Sequence, residues 1–358
     1  MNLYGSLNSE KELHPQLQSR SMATDVETFS RRFAEVQENL RQPPYRIGLP
    51  GIALGMRYVN TVLPVPSEFW ILPGSPQDRG RISANLSPFY RENGYLGFFE
   101  ADSFESARQL IEQGVAWLQN RGAKKILGPI HFNTWLSYRF RVDTDTQSPA
   151  FAFEPNQPPE YPLWWRELGF SEVAGYHTDG LDGLEGILRQ TQVDYANALR
   201  QGFRIRKLDA AQLLEKEVPI LYEISMQAFK KNHLFEPVPF EFFRELYVPF
   251  ARKLDSNSQL AYFVCNSEGK EIGYFFNFIE SEHLIIKTAG LLPEGRGHRL
   301  SNAMLYQAVQ ESYDRGIRKS VTALMHHGIQ SESYSKKQEI SWQHRYSLFG
   351  KSVANMET

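Results

Sequence analysis

The sequence predicts an α+β protein made of two units in tandem, each a mixed, mostly antiparallel sheet flanked by helices. Three observations carry this. The 358 residues exceed one ordinary domain and suit two. A composition of 41% hydrophobic and 22% charged residues is that of a chain with a substantial buried core. One order of elements, antiparallel strands and then a strand, a helix and a strand, is written twice along the chain, with no detectable repeat of sequence beneath it.

Residues 1–44 form a lead-in and a helix. Residues 1–24 are polar and carry no period. Over residues 24–42, Val26, Phe29, Phe33 and Val36 recur at helical spacing, Thr24 or Asp25 supplies a cap, and Pro43-Pro44 ends the run. The first unit, residues 45–185, opens with short apolar runs between Gly, Pro and Asn: Gly51-Ile-Ala-Leu-Gly, Glu68-Phe-Trp-Ile-Leu and Tyr95-Leu-Gly-Phe-Phe-Glu. These are strand signals. A helix over residues 103–122 follows, with Phe104, Ala107, Leu110, Ile111, Val115 and Leu118 on its apolar face. A strand over 125–130, a loop rich in Pro, Asn and Gln, and a short helix over 161–168 complete the unit. Residues 175–200 read as a linker and a helix.

The second unit, residues 186–358, repeats the order. A strand begins at Phe203, residues 210–254 are helical with a break at 232–239, and strands over 259–265 and 272–278 are joined by the turn Asn266-Ser-Glu-Gly-Lys. A strand over 283–292, a helix over 299–316 and a strand over 319–325 close it.

Composition narrows function. A net charge of −2 provides no global field to gather nucleic acid or anionic lipid, so neither is expected as a partner. No apolar run approaches the roughly 20 residues that span a bilayer. Cys265 is the single cysteine, which precludes an internal disulfide and a cysteine zinc site and fits a reducing, cytoplasmic setting. The N-terminus lacks a basic stretch followed by an apolar one, so no signal peptide is expected. The sequence leaves the oligomeric state unknown.

The informative segment is Thr288-Ala-Gly-Leu-Leu-Pro-Glu-Gly-Arg-Gly-His-Arg-Leu-Ser-Asn-Ala-Met-Leu. A strand ending at Leu291 and Leu292 runs into a loop with Gly295 and Gly297, and Leu300 and Ser301 open a helix. First-turn amides lack internal partners and lie at the positive end of the helix dipole. With Arg296, His298 and Arg299 beside them they suit a pyrophosphate. The matching turn of the first unit is Glu100-Ala-Asp-Ser-Phe-Glu. Its Glu100, Asp102 and Glu105 are expected to satisfy the helix amides themselves and to repel a phosphate.

The basic segment resembles the acyl-CoA pyrophosphate loop of the GNAT N-acetyltransferase superfamily, whose pattern is Arg/Gln-x-x-Gly-x-Gly/Ala. Arg296 takes the first position. Arg299 falls where Gly is usual, a place from which it either pairs with phosphates or blocks them, and Ser301 falls where Gly or Ala is usual. Further stretches are similar to a bacterial group of two-domain, tandem GNAT proteins: Lys230-Lys-Asn-His-Leu-Phe-Glu-Pro, Arg121-Gly-Ala-Lys-Lys-Ile-Leu-Gly-Pro-Ile-His-Phe-Asn, Tyr161-Pro-Leu-Trp-Trp-Arg-Glu-Leu-Gly-Phe and Trp342-Gln-His-Arg-Tyr-Ser-Leu-Phe-Gly-Lys.

The resemblance implies an acyl-CoA-dependent N-acyltransferase, with acetyl-CoA as co-substrate and an amine of a small molecule or peptide as acceptor. The CoA would lie on Leu291, Leu292, Arg296, Gly297, His298, Arg299, Leu300 and Ser301. The first unit, without a CoA site, would wall the acceptor pocket. Tyr334 stands where the superfamily's thiolate-protonating tyrosine is usual. His326 and His327 end the strand that faces the cofactor tail and are candidates to relay a proton. As neighbours on a strand they point to opposite faces, so no metal is expected. Glu280 and Glu282 flank the preceding turn and suit a base acting through water. His233, between the early helices of the second unit, falls where the acceptor cleft is lined. Two other readings stand beside this one: a non-catalytic binding or scaffold protein on a degenerate GNAT fold, to which Arg299 and Ser301 point, and a tRNA-dependent aminoacyl transferase, against which the charge of −2 counts.

Overall fold

The computed structural model describes residues 17–41, 65–145, 147–253, 259–327 and 339–353. The strands are β1 (Gln18–Ser19), β2 (Ser67–Leu72), β3 (Gly80–Leu86), β4 (Asn93–Ala101), β5 (Lys125–Gly128), β6 (Phe140–Arg141), β7 (Ser171–Leu181), β8 (Arg204–Lys207), β9 (Tyr262–Cys265), β10 (Glu271–Glu280), β11 (His283–Leu291), β12 (Lys319–His326) and β13 (Trp342–Ser352). The helices are α1 (Val26–Leu40), α2 (Phe104–Gln119), α3 (Glu160–Glu167), α4 (Glu185–Arg200), α5 (Val218–Ala228), α6 (Phe240–Lys253) and α7 (Leu300–Asp314).

The repeated order is present. In the first half β2, β3 and β4 are antiparallel, α2 follows, and β5 returns parallel to β4. In the second half β8 to β11 are antiparallel, α7 follows, and β12 returns parallel to β11. All thirteen strands belong to one sheet, ordered β1-β2-β3-β4-β5-β13-β7-β12-β11-β10-β9-β8, with β6 paired on β13.

The join is an exchange of strands. β13, late in the chain, lies between β5 and β7. β7, from the first half of the sequence, pairs with β12 and β13. Residues 175–181, expected to begin a linker, are therefore the centre of the sheet. Gly175 and Gly180 gave the stretch its loop-like composition, yet a Cβ on Gly180 would stand 2.0 Å from Cε2 of Trp342. The glycine is there so that β13 can lay its indole across β7.

The helices follow their apolar faces. Asp25 caps α1, its carboxylate accepting the Glu27 and Thr28 amides, and Phe29, Phe33 and Val36 pack on Phe69 and Phe98. In α2, Ala107, Leu110, Ile111 and Leu118 are buried against Ile82 and Leu96. In α7, Leu300, Ala303, Met304, Ala308 and Val309 enter the core of the second half, where α4 and α5 also contribute. No helix among the described residues is long and apolar enough to cross a membrane.

Candidate functional site

The turn between β11 and α7 is built to leave main-chain donors free. Leu292 donates its amide to Ile272, Gly295 to Leu292 and Arg296 to Pro293, which closes a single tight turn. Gly297 follows at φ +86, where a side chain would be strained. Arg299 is the N-cap at φ 54 and ψ 32 and provides no side-chain cap. The amides of Gly297, His298, Arg299, Leu300 and Ser301 have no acceptor among the described residues. They stand at the positive end of a 15-residue helix. Arg296 is exposed beside them. Arg299 turns onto α4, its Nη1 being 3.4 Å from the Asp194 carboxylate, which also accepts from Asn302 at 2.7 Å. His298 is anchored by Gln201 at 2.6 Å and by the ring of Phe203.

Beside this turn two strands part. β11 and β12 are paired from His283–Lys319 to Ile286–Thr322 and no further. β12 continues on β7, with Met325 opposite His177 and His326 opposite Tyr176. Lys287 is the first residue of β11 past the fork. It was not anticipated, although a lone lysine in an apolar strand is a visible signal. Its ammonium stands 5.4 Å from the ring centroid of Phe153. Burial, and then the charge of Arg139, pushes it down to about 8.

Of the expected catalytic side chains, His326 and His327 stand at the end of the part of β12 that has left β11, whereas Glu280 and Glu282 stand at the opposite end of β11, next to its pairing of His283 with Lys319. His326 lies edge-on to Tyr176, with ring centroids 4.8 Å apart, and 6.1 Å from the ring of His233. His327 faces His177 at 5.0 Å. Burial, and then His326, lowers the His233 pKa. No group among the described residues has the makings of a metal site. The Glu280 carboxylate accepts the Ala152 amide at 2.8 Å, which ties the 143–155 loop to the sheet, and Glu282 pairs with Lys319. Tyr334 lies outside the described residues.

The corresponding place in the first half is filled. β4 and β5 pair from Asn93–Lys125 to Tyr95–Leu127, and the amide of Ile130 then bridges the gap to the Leu96 carbonyl at 2.8 Å. The carboxylates of the turn act differently from expectation. Ser103 is the N-cap and accepts the Ser106 amide. Asp102 accepts from the Ser103 and Ser106 hydroxyls and from Arg79. Glu105 pairs with Arg108. Glu100 is buried with Arg41 at 2.7 Å and Arg81 at 3.6 Å. A serine hydroxyl on its own loop reaches the amide at less conformational cost, and the carboxylates go to the nearby guanidiniums.

No protein-family model and no curated protein matches the chain. Solved structures do. A tandem GNAT protein from the clavulanic acid biosynthesis pathway is similar with a TM-score of 0.54 at 10% identity, over 96% of this chain and 100% of that one. A conserved protein from Enterococcus faecalis, described as a probable N-acyltransferase, gives 0.52 at 10% identity over 95% of this chain and 73% of that one. The glucosamine N-acetyltransferase region of a fungal multi-domain beta-N-acetylglucosaminidase gives 0.52 at 13% identity over 94% of this chain and 38% of that one. The fold is thus of the GNAT N-acetyltransferase class. Within that class it is the two-domain, tandem arrangement.

Proposed function

We propose that the protein is an acyl-CoA-dependent N-acyltransferase of the cytoplasm that takes acetyl from acetyl-CoA and delivers it to an amine of a small molecule or peptide. One observation carries the reading: five consecutive free amides, residues 297–301, with Arg296 beside them, at the N-terminus of α7 where β11 has parted from β12. Donors and charge suit a pyrophosphate, and the open main chain of β11 past Ile286 suits a thioester carbonyl that must be polarised. The amine then attacks the carbonyl carbon, losing its proton to a group at the fork, and the carbon–sulfur bond of the thioester breaks to release CoA, whose thiolate takes up a proton. His326 or His327 serves that relay. Among its described residues the first half has no equivalent opening, and it serves as a wall of the site, so the division at residues 45–185 and 186–358 is one of labour.

The outward lean of Arg299 onto Asp194 favours this over a scaffold on a degenerate fold, because a blocked site would need that side chain in the loop. Isothermal titration with acetyl-CoA, CoA and dephospho-CoA tests the reading. Binding of all three, weakest for the dephospho form, is expected. No binding at millimolar ligand overturns it.

A further inference from the structure

Lys287 is the extra residue of a bulge. β10 and β11 pair Asn277 with Ile286 and Phe276 with Thr288, which leaves Lys287 without an opposite number on β10. A bulge re-aims the side chain it carries. On its other edge β11 has just lost β12, whose last pair is Ile286 with Thr322. Lys287 therefore sits in the ladder on neither side, where the sheet opens. Ile285, two residues back, is packed with Phe151, and the Lys287 ammonium stands near the ring of Phe153 in the same loop.

These surroundings suit an amine better than an ammonium. Lys287 is half-buried and has no hydrogen bond or ion pair among the described residues. The Phe153 ring, 5.4 Å from Nζ to its centroid, is a weak partner for a charge. The charge that acts on Lys287 is a like one, that of Arg139. Arg139 is 8% exposed and is fixed by the rings of Tyr138 and Tyr176, whose centroids lie 4.0 and 4.1 Å from it. An apolar surface and a neighbouring cation with no carboxylate to offset it both favour loss of a proton, and this is how lysines are made nucleophilic. With the pKa down to about 8, a sizeable share of Lys287 is free amine near neutral pH.

The reading of the donor site given above puts the thioester carbonyl on the open main chain of β11, and Lys287 is the first residue of that stretch. We propose that Lys287 is a self-acetylation site, its Nζ attacking the thioester carbon of bound acetyl-CoA in place of an external amine. The lone pair of the neutral amine forms the carbon–nitrogen bond, the carbon–sulfur bond breaks, and CoA leaves as the thiolate. Nitrogen gives up one proton and sulfur takes one up, so the products are an N-acetyl-lysine and CoA. The new amide is stable and uncharged, and the fork loses the positive charge of Lys287. This inference rests on the acetyl-CoA reading of the same site.

The full-length protein incubated with acetyl-CoA and no acceptor, with acetylated lysines mapped over time by peptide mass spectrometry, is the test. Calorimetry on the same preparation reports whether acetyl-CoA binds. Lys287 should be acetylated about tenfold or more faster than the more exposed Lys216, because a bound donor is held against it. Excess CoA should protect Lys287 and not Lys216. Arg296→Glu should bring Lys287 down to the Lys216 rate. The Lys287 rate should rise with pH and level off above about 8. Binding of acetyl-CoA with Lys287 labelled no faster than Lys216, or labelling of Lys287 that CoA does not slow, overturns this inference and leaves the donor site standing. No binding of acetyl-CoA overturns both.

Discussion

Arg299 and Asp194 form an ion pair 3.4 Å long that joins the first residue before α7 to the buried face of α4. The residue that interrupts the small-residue pattern of the loop is thus tied outside it, in a left-handed conformation that glycine adopts freely. Arg299→Gly should change CoA affinity by less than about threefold, roughly 0.6 kcal/mol. A loss of tenfold or more in calorimetry would put the guanidinium on a phosphate instead.

Arg296→Glu reverses the charge beside the free amides on an exposed turn. CoA binding should disappear with the circular dichroism spectrum unchanged. Asp102→Ala in the first half should leave CoA affinity alone. If Asp102→Ala removes binding in a folded protein, the donor site has been assigned to the wrong half.

Glu100→Ala leaves Arg41 and Arg81 facing each other without a counter-charge. Burial already lowers Arg81 to about 10, with Glu100 opposing that shift and Arg41 adding to it. Breaking a buried ion network from one side costs about 3–5 kcal/mol. Urea unfolding should show a loss of that size, and a loss below about 1 kcal/mol would mean that the cluster is solvated.

His131 supplies a pH signature. Burial, and then the charges of Arg81 and Arg41, pushes its pKa in the folded protein down to about 3 from the ordinary 6.5. Between these values the unfolded chain binds a proton that the folded one refuses, so stability falls as pH drops from 6.5 toward 3. His131→Asn should flatten that part of the stability curve. A variant with the parent's slope between pH 6 and pH 4 would show that His131 takes up its proton in the folded state.

What could be read from the chain was what has a period. The apolar stripes of α1, α2 and α7 and the glycine-basic turn at 295–299 all declare themselves over a few residues. β7 did not, because Gly175 and Gly180 are there for His327 and Trp342, partners more than 150 positions away. The surroundings of Lys287 were invisible for the same reason. Arg139 and Phe153 sit in a loop rich in Pro, Asn and Gln, and only the fold brings them to the fork. Caps were half legible: Asp25 was one of two candidates, with Thr24, while Ser103 was hidden among the carboxylates of its own turn.

The exchange of β7 and β13 predicts how the chain can be cut. A fragment of residues 1–185 has β7 but neither of its neighbours, and one of residues 186–358 has β12 without β7 and β13 without β5 or β7. Expressed alone, each should elute as an aggregate in size-exclusion chromatography. Expressed together, they should yield a soluble complex of the parent's size. A monomeric, folded 1–185 fragment would show that β13 is dispensable to the first half.

That same placement of β13 bears on synthesis. Chains of this length usually mature in the order in which they leave the ribosome, the N-terminal portion first. Here β5 cannot acquire its inner neighbour until residues 342–352 have been made, more than 200 positions after it. The early half must wait with an open strand edge, a surface on which nascent chains stick to one another. Slow translation, which helps modular proteins fold piece by piece, would prolong that exposure for this one.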